Sequence, residues 1–302
     1  VSETPQTTSI PKLRTLAWDG VSFDVPVEWE LAHFQRRKRA MRIEVEDRYE
    51  LRLEAEWLRP KRKPDVDEVQ RRYDRMTRQW TSEAKEHHPA EDLPDDWIAT
   101  RFVMEDGRRF ITAFYLPADG GLFAYFVIHF EPESEETPGD VLRLLISSLR
   151  RHDGDVKPWR LYDIGFNLPE RFKLRNARFE TGLKVMTFNW GFRELHLFHV
   201  SLADRVTKGL GVEEWAPAFL QSRRLYRGVR FVAGQTDEIV VQKNRLNIIG
   251  RYDEIGRMCF SYEARHRLLR DRNQIVVWLL HYRWQADALA MDDMQLNAHQ
   301  LP

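Results

Sequence analysis

Val21-Ser22-Phe23-Asp24-Val25-Pro26-Val27-Glu28-Trp29-Glu30-Leu31 decides the reading of this chain, because it occurs twice. Its echo is Ile164-Gly165-Phe166-Asn167-Leu168-Pro169-Glu170-Arg171-Phe172-Lys173-Leu174. In both copies an apolar/polar alternation runs into a Pro, and an aromatic residue and a Leu follow at matching positions. Alternation of period two marks a half-buried strand, and Pro cannot donate within a ladder. Each copy therefore predicts a short strand, a turn and the start of a second strand. A second echo sets Trp278-Leu279-Leu280-His281-Tyr282 against Phe126-Val127-Ile128-His129-Phe130. Matched landmarks at both ends of each copy predict a tandem duplication joined near Gly154. A period of roughly 145 residues is a domain rather than a solenoid unit.

Between the landmarks the first copy continues as a hairpin, with Met41, Ile43 and Val45 and then Leu51, Leu53, Ala55 and Trp57 alternating with charged residues. Asp65 and Glu68 suggest a capping pair for a helix whose apolar stripe is Val66, Val69, Tyr73, Met76 and Trp80. The stretch 83–96 reads as a surface connection carrying His87 and His88. Strands follow at 97–104, 109–116 and 122–130, punctuated by Asp-Gly turns. Pro138-Gly139-Asp140 then opens a closing helix. In the second copy Leu195 and Leu197 are matched with Leu51 and Leu53. Gly211 to Trp215 is matched with Asp65 to Val69, with Pro217 placed in the first helical turn. Strands are expected at 229–232, 238–243, 247–252, 257–264 and 274–282, with a short helix from Ala286. The predicted fold is α+β: two repeats, each an antiparallel sheet flanked by helices, over residues 13–154 and 155–302 behind a flexible lead, 1–12.

The 302 residues include ten Trp, enough for a sizeable core, and the formal net charge is zero. A neutral chain is not built for bulk adhesion to nucleic acid or membrane, although a local patch remains open to it. The lone Cys259 excludes an internal disulfide and a cysteine-rich metal site. It lies in an apolar run, where nothing would lower its pKa toward a reactive thiolate. No stretch reaches the ~18 apolar residues of a membrane helix. The polar start lacks the pattern of an export signal, which makes the reducing cytoplasm the default compartment.

The order strand-Pro-turn-strand, hairpin, amphipathic helix, antiparallel meander and closing helix resembles the PsbP/DcrB-like superfamily. Its sequence markers are Phe23-Asp24-Val25-Pro26-Val27-Glu28-Trp29 and Phe166-Asn167-Leu168-Pro169-Glu170-Arg171-Phe172. That resemblance implies an antiparallel sheet with helices, in a group whose members mostly bind or stabilise partners. It implies no shared catalytic residue. The chain departs from the group in having two copies and no lipoprotein cysteine near its start.

Chemistry is sparse. There is no Gly-rich phosphate loop, Gly-x-Ser-x-Gly elbow or His-Glu-x-x-His helix. The most asymmetric feature is basic: Arg36, Arg37, Lys38 and Arg39 join two strands, and Arg59, Lys61, Arg62 and Lys63 follow a third. In an antiparallel meander both connections fall at one end of the sheet, so the two clusters are expected to meet. An anionic ligand or a protein partner would find a footprint there; the competing reading is a pair of solvated loops neutralised by nearby acids. No aromatic residues interleave with those charges, and no nucleic-acid module is recognisable. His129 and His281 are repeat-equivalent and read as structural, while His196 and His199 fall on opposite strand faces. No metal site and no cofactor is expected. The functional expectation is a non-catalytic binding or assembly module, working through the basic end of the first copy or the groove between copies. The alternative is an enzyme of unknown class with its site in that cleft.

Overall fold

The computed structural model describes residues 12–37, 40–62, 65–130, 138–162, 164–225, 229–235, 237–243 and 260–283. Lys38, Arg39, Lys63, Cys259, the strand expected at 247–252 and the helix expected from Ala286 lie outside the described residues. The chain falls into two compact units. Among the described residues, one holds 12–152 together with 160–162; the other holds 153–159 and those from 164 to 283.

The first unit opens with a hairpin whose first strand was not expected from the sequence. Strand β1 (Leu13–Trp18) pairs in register with β2 (Val21–Pro26). Asp19 and Gly20 join them with φ of 48° and 82°, the doubly left-handed turn that matches the twist of the strands. The chain continues through β3 (Glu30–Arg36), β4 (Ala40–Glu46), β5 (Leu51–Leu58) and helix α1 (Val66–Glu83). Then come β6 (Ala84–Pro89), β7 (Trp97–Met104), β8 (Arg109–Tyr115), β9 (Phe123–Phe130), α2 (Pro138–Ser148) and the short β10 (Arg150–Arg151). Strands β3 to β9 form one seven-stranded sheet in the order β3-β4-β5-β9-β8-β7-β6, every pair antiparallel.

The remainder runs β11 (Val156–Leu161), β12 (Ile164–Pro169), β13 (Lys173–Glu180), β14 (Leu183–Trp190) and β15 (Arg193–Ser201). Two helices follow, α3 (Ala203–Thr207) and α4 (Val212–Ser222), then β16 (Val229–Ala233), β17 (Glu238–Lys243), β18 (Ser261–Leu269) and β19 (Gln274–Tyr282). The second seven-stranded sheet has the order β13-β14-β15-β19-β18-β17-β16. This is the strand order of the first sheet, with α4 standing in the chain where α1 stands. The quoted motif makes the same turn in each unit: Trp29 N–H donates to Pro26 O and Phe172 N–H to Pro169 O, both at 3.0 Å.

The expected α+β fold with sheets flanked by helices is overturned. Antiparallel strands dominate, and only four α-helices occur among the described residues. The physical reason lies in β2, which is buried along nearly its whole length. A strand buried on both faces needs a layer on each side. In the first unit Phe23 of β2 meets Phe126 of β9 edge-on at 5.9 Å, so a strand layer, not a helix, covers that face of the main sheet. Beside it, Ala17 of β1 pairs with Arg160 of the same unit, and β10 pairs with β2. Helix α2 lies against β2, where Asp24 N–H donates to Ser148 Oγ at 3.0 Å. Helix α1 covers the opposite face through Val69 and Tyr73, packed on Phe102, Phe110, Phe114, Phe123 and Tyr125. The second unit repeats this layering. Ala216 and Leu220 of α4 pack on Phe198, Phe231, Val277 and Leu279, while Trp159 meets Phe188 at 4.8 Å on the other face.

Several local expectations change. Asp65 is the N-cap residue of α1, but its side chain makes no capping bond, and Glu68 pairs with Arg62 at 3.5 Å instead. Pro217 sits inside α4 in the second turn, past the position where a missing N–H costs nothing. The supposed connection 83–96 contains strand β6, an edge strand exposed along almost its whole length. Its residues show no alternation because neither face packs on a core. Register also moves one match. Leu53 pairs with Ile128 and Leu195 with Leu280, so Leu195 stands where Leu53 stands and not where Leu51 does. Register shifts interrupt three edge strands, at Leu31/His33 of β3, Leu174/Asn176 of β13 and Ala84/Glu86 of β6.

Candidate functional site

Two connections build the basic end of the first unit. Arg37 N–H donates to Ala40 O at 2.8 Å, closing the turn between β3 and β4. Ala40 is in turn the register partner of Leu58, the last residue of β5. The exit from β5 through Arg59, Lys61 and Arg62 therefore leaves from the same end of the sheet as the turn bearing Arg36 and Arg37. Arg36, Arg37, Lys61 and Arg62 are exposed. Arg59 is half-buried and donates to His152 O at 3.3 Å, which makes it a structural anchor for the exit.

At this end the first turns of α1 and the start of β9 enclose a cleft of about 270 Å³. Leu58, Pro60, Val69 and Phe123 supply apolar lining, while Lys61, Arg62 and Arg72 bring positive charge and Glu68 a single negative one. Arg72 lies over the Phe123 ring with 4.7 Å between the guanidinium carbon and the ring centroid, and 3.9 Å from Glu56. A cation stacked on an aromatic face is held in place without losing its outward hydrogen-bonding edge. Sequence reading missed Arg72, Glu68 and Phe123 as lining residues. The signal was there in part: Arg72 follows Val69 by three and flanks the apolar stripe at its N-terminal end, where the helix meets the sheet.

The histidines occupy a different place. His129 Nε2 lies 2.9 Å from Glu54 Oε1, and Arg42 bonds the other carboxylate oxygen. Bonding to His129 outweighs the opposing effect of burial and holds the Glu54 carboxyl below the usual carboxylate range. In the second unit the pairing differs. His196 Nε2 lies 2.8 Å from Glu194 Oε1, Arg175 reaches Oε2 at 2.7 Å, and Glu194 is the register partner of His281. Bonding to His196 chiefly brings Glu194 down to about 2, with the charges of His281 and Arg175 helping. His281 itself meets Phe260 edge-on at 5.1 Å. His196 and His199 fall on opposite faces, His196 opposite Thr187 and His199 opposite Lys184. His87 and His88 lie on exposed β6. No group of three or more metal-ligating side chains occurs among the described residues. No described helix is long and apolar enough to cross a membrane.

A second hollow, of about 390 Å³, lies at the corresponding end of the second unit. It is lined by α3, the start of α4 and the turn between β18 and β19, including Asp204, Gly211, Glu213, Arg270 and Asn273. Asn273 ties the turn to α3: Asp204 N–H donates to its Oδ1 at 3.0 Å and Ala203 N–H to its backbone O at 2.8 Å. Charges of both signs line this hollow.

No protein-family model matches the chain, and no curated protein matches it. Among solved structures, the chain is similar to cyanobacterial PsbP (CyanoP) from Synechocystis sp. PCC 6803 at 12% identity and a TM-score of 0.33, over 50% of this chain and 98% of that one. It is also similar to the immunity protein TplEi of the T6SS from Pseudomonas aeruginosa, solved in complex with "L" peptide. There the identity is 8% and the TM-score 0.38, over 95% of this chain and 98% of that one. With both TM-scores below 0.5, neither neighbour assigns this chain to a family.

Proposed function

We propose that the chain is a duplicated, non-catalytic binding module whose first unit takes an anionic partner at the basic end of its sheet. The observation that carries this reading is the cleft where Lys61 and Arg62 meet Arg72 around Leu58, Val69 and Phe123. An apolar floor with cations on its rim suits a ligand that pairs an acidic group with a buried hydrophobic one. The identical strand order of the two seven-stranded sheets supports the duplication. Arg36 and Arg37 extend the positive field one strand beyond the cleft, which would steer a partner toward it at low salt.

The test is retention of the whole chain on immobilised heparin, a polyanion, against a salt gradient. Replacing Arg37, Lys61 and Arg62 with Ser should move elution to lower salt and flatten its salt dependence. These side chains are exposed, so thermal unfolding should be unchanged. Retention equal to that of the parent chain rejects the basic end as the binding surface.

A further inference from the structure

The hollow of about 390 Å³ at the start of α4 carries a lining unlike that of the first unit's cleft. One wall is α3, which has no counterpart between β5 and α1 among the described residues. Asn273, just before β19, fixes that wall. Its Oδ1 accepts the Asp204 N–H at 3.0 Å, and its Nδ2 donates back to Asp204 Oδ1. The bond from Asn273 holds the Asp204 carboxyl below its ordinary value, so a fixed negative charge stands on the wall. A Cβ at Gly211 would lie 2.8 Å from Glu213 Oε2, which places a second carboxylate over the opening turn of α4. Arg270, from the turn between β18 and β19, brings positive charge, and no ion pair joins it to either acid among the described residues. Leu210, Val212 and Leu268 supply apolar surface, with Leu210 52% exposed. Thr207 lines the same space; it is 9% exposed, and its hydroxyl makes no hydrogen bond among the described residues.

We propose that this hollow binds a free aliphatic α-amino acid. The ligand's ammonium sits on the Asp204 and Glu213 carboxylates, its carboxylate on Arg270, and its side chain against Leu210, Val212 and Leu268. Opposite charges that do not neutralise each other across an open space suit a ligand carrying both signs. A polyanion would meet two carboxylates, and a plain hydrocarbon would cover all three charges without pairing them, which is costly. The apolar trio favours an aliphatic side chain over a polar one. The Thr207 hydroxyl can donate to a carboxylate or accept from an ammonium, and a buried hydroxyl left unmatched costs free energy until a ligand arrives. The volume is that of a small-molecule site. A metal ion is the poorer match, since no group of three or more ligating side chains occurs among the described residues.

The cleft of the first unit stands at the same station with the opposite balance. There Lys61, Arg62 and Arg72 outnumber Glu68, which suits an acid without an ammonium group. Asp204 and Glu213 against Arg270 reverse that balance. Binding in the second hollow does not depend on the first.

The experiment is calorimetric titration of the full chain with L-leucine. Saturable binding is expected, with a Kd of about a millimolar or tighter. Arg270→Gln and Asp204→Asn should each weaken it by about tenfold or more, and Thr207→Val, which keeps the shape of the side chain, by about two- to fivefold. Arg270 and Asp204 are exposed, so thermal unfolding of their variants should match that of the parent chain. Isoamylamine, which is leucine without its carboxylate, and isocaproate, which lacks the ammonium, should each bind at least about tenfold more weakly. Lys61→Ser/Arg62→Ser should leave leucine binding intact, which separates this hollow from the cleft of the first unit. Any of four results overturns the assignment: no saturation up to about 10 mM leucine, either analogue binding as tightly as leucine, Arg270→Gln binding like the parent, or loss of binding in Lys61→Ser/Arg62→Ser.

Discussion

The cleft at the start of α1 and the hollow at the start of α4 occupy the same station in two sheets of one strand order, yet their chemistry differs. In the first unit β5 leaves the sheet through Lys61 and Arg62, and Arg72 on Phe123 completes a basic rim. In the second, α3 and the turn after β18 are knitted together by Asn273, and Asp204, Glu213 and Arg270 bring charges of both signs. At the opposite ends of the two sheets Arg52 stacks on Trp29 with Glu50 and Asp47 beside it, while Arg171 and Arg193 stack on Trp190. The layers of the two units are held by the same kind of packing and their connections are not, the usual division between scaffold and loop.

That contrast can be broken first in the cores. Phe126 and Phe188 are fully buried, Phe126 beside Phe23 and Trp97, Phe188 beside Trp159 and Phe166. Truncating either to Ala should cost about 3–5 kcal/mol. Urea unfolding read by hydrogen exchange at β9 and at β14 checks this. A large loss at one site with almost none at the other would mean that the strand layers are not equivalent supports.

A middle-sized effect comes from the two carboxylates. Glu194, held at about 2 against an ordinary 4.5, contributes stability that is full above the unfolded value and is lost as pH falls from about 4.5 toward 2. Glu194→Gln should therefore flatten the acid limb of a stability–pH curve in that window. Glu54→Gln acts in the same direction, since His129 lowers Glu54 as well. An unchanged acid limb in Glu194→Gln would remove the His196 pairing from the account.

The smallest effect is at Gly121. A Cβ there would lie 2.1 Å from a terminal nitrogen of Arg151, which must then swing away from Asp119. Because that pair is partly exposed, Gly121→Ala should shift the urea midpoint by the equivalent of at most about 1 kcal/mol. A larger loss would show that the arm from β10 to Asp119 holds more of the first unit than a surface ion pair can.

Legibility in the sequence followed burial. The strand-turn-strand motif was readable because Pro26 and Pro169 mark the turn and both flanks alternate. The apolar run of β9 was readable as a central strand, and it is buried on both faces. The β1–β2 hairpin went unread although Asp19-Gly20 marks its turn, since Leu13–Trp18 does not alternate strictly. Strand β6 was invisible because exposed residues carry no period, and α3 is too short to show one. The basic end was legible because contiguous charge survives in sequence order. The stack of Arg171 and Arg193 on Trp190 was not, since Arg171 follows β12 while Trp190 ends β14 and Arg193 begins β15.

The interruptions in register along β3, β13 and β6 have a consequence for molecules of this protein that meet one another at high concentration. A straight outer strand offers a ladder of unspent N–H and C=O groups on which a neighbour can polymerise. Offsetting those groups by one residue spoils the repeat, and Pro89 at the end of β6 withholds a donor besides. Fibre growth from these rims is thereby discouraged by backbone shape alone.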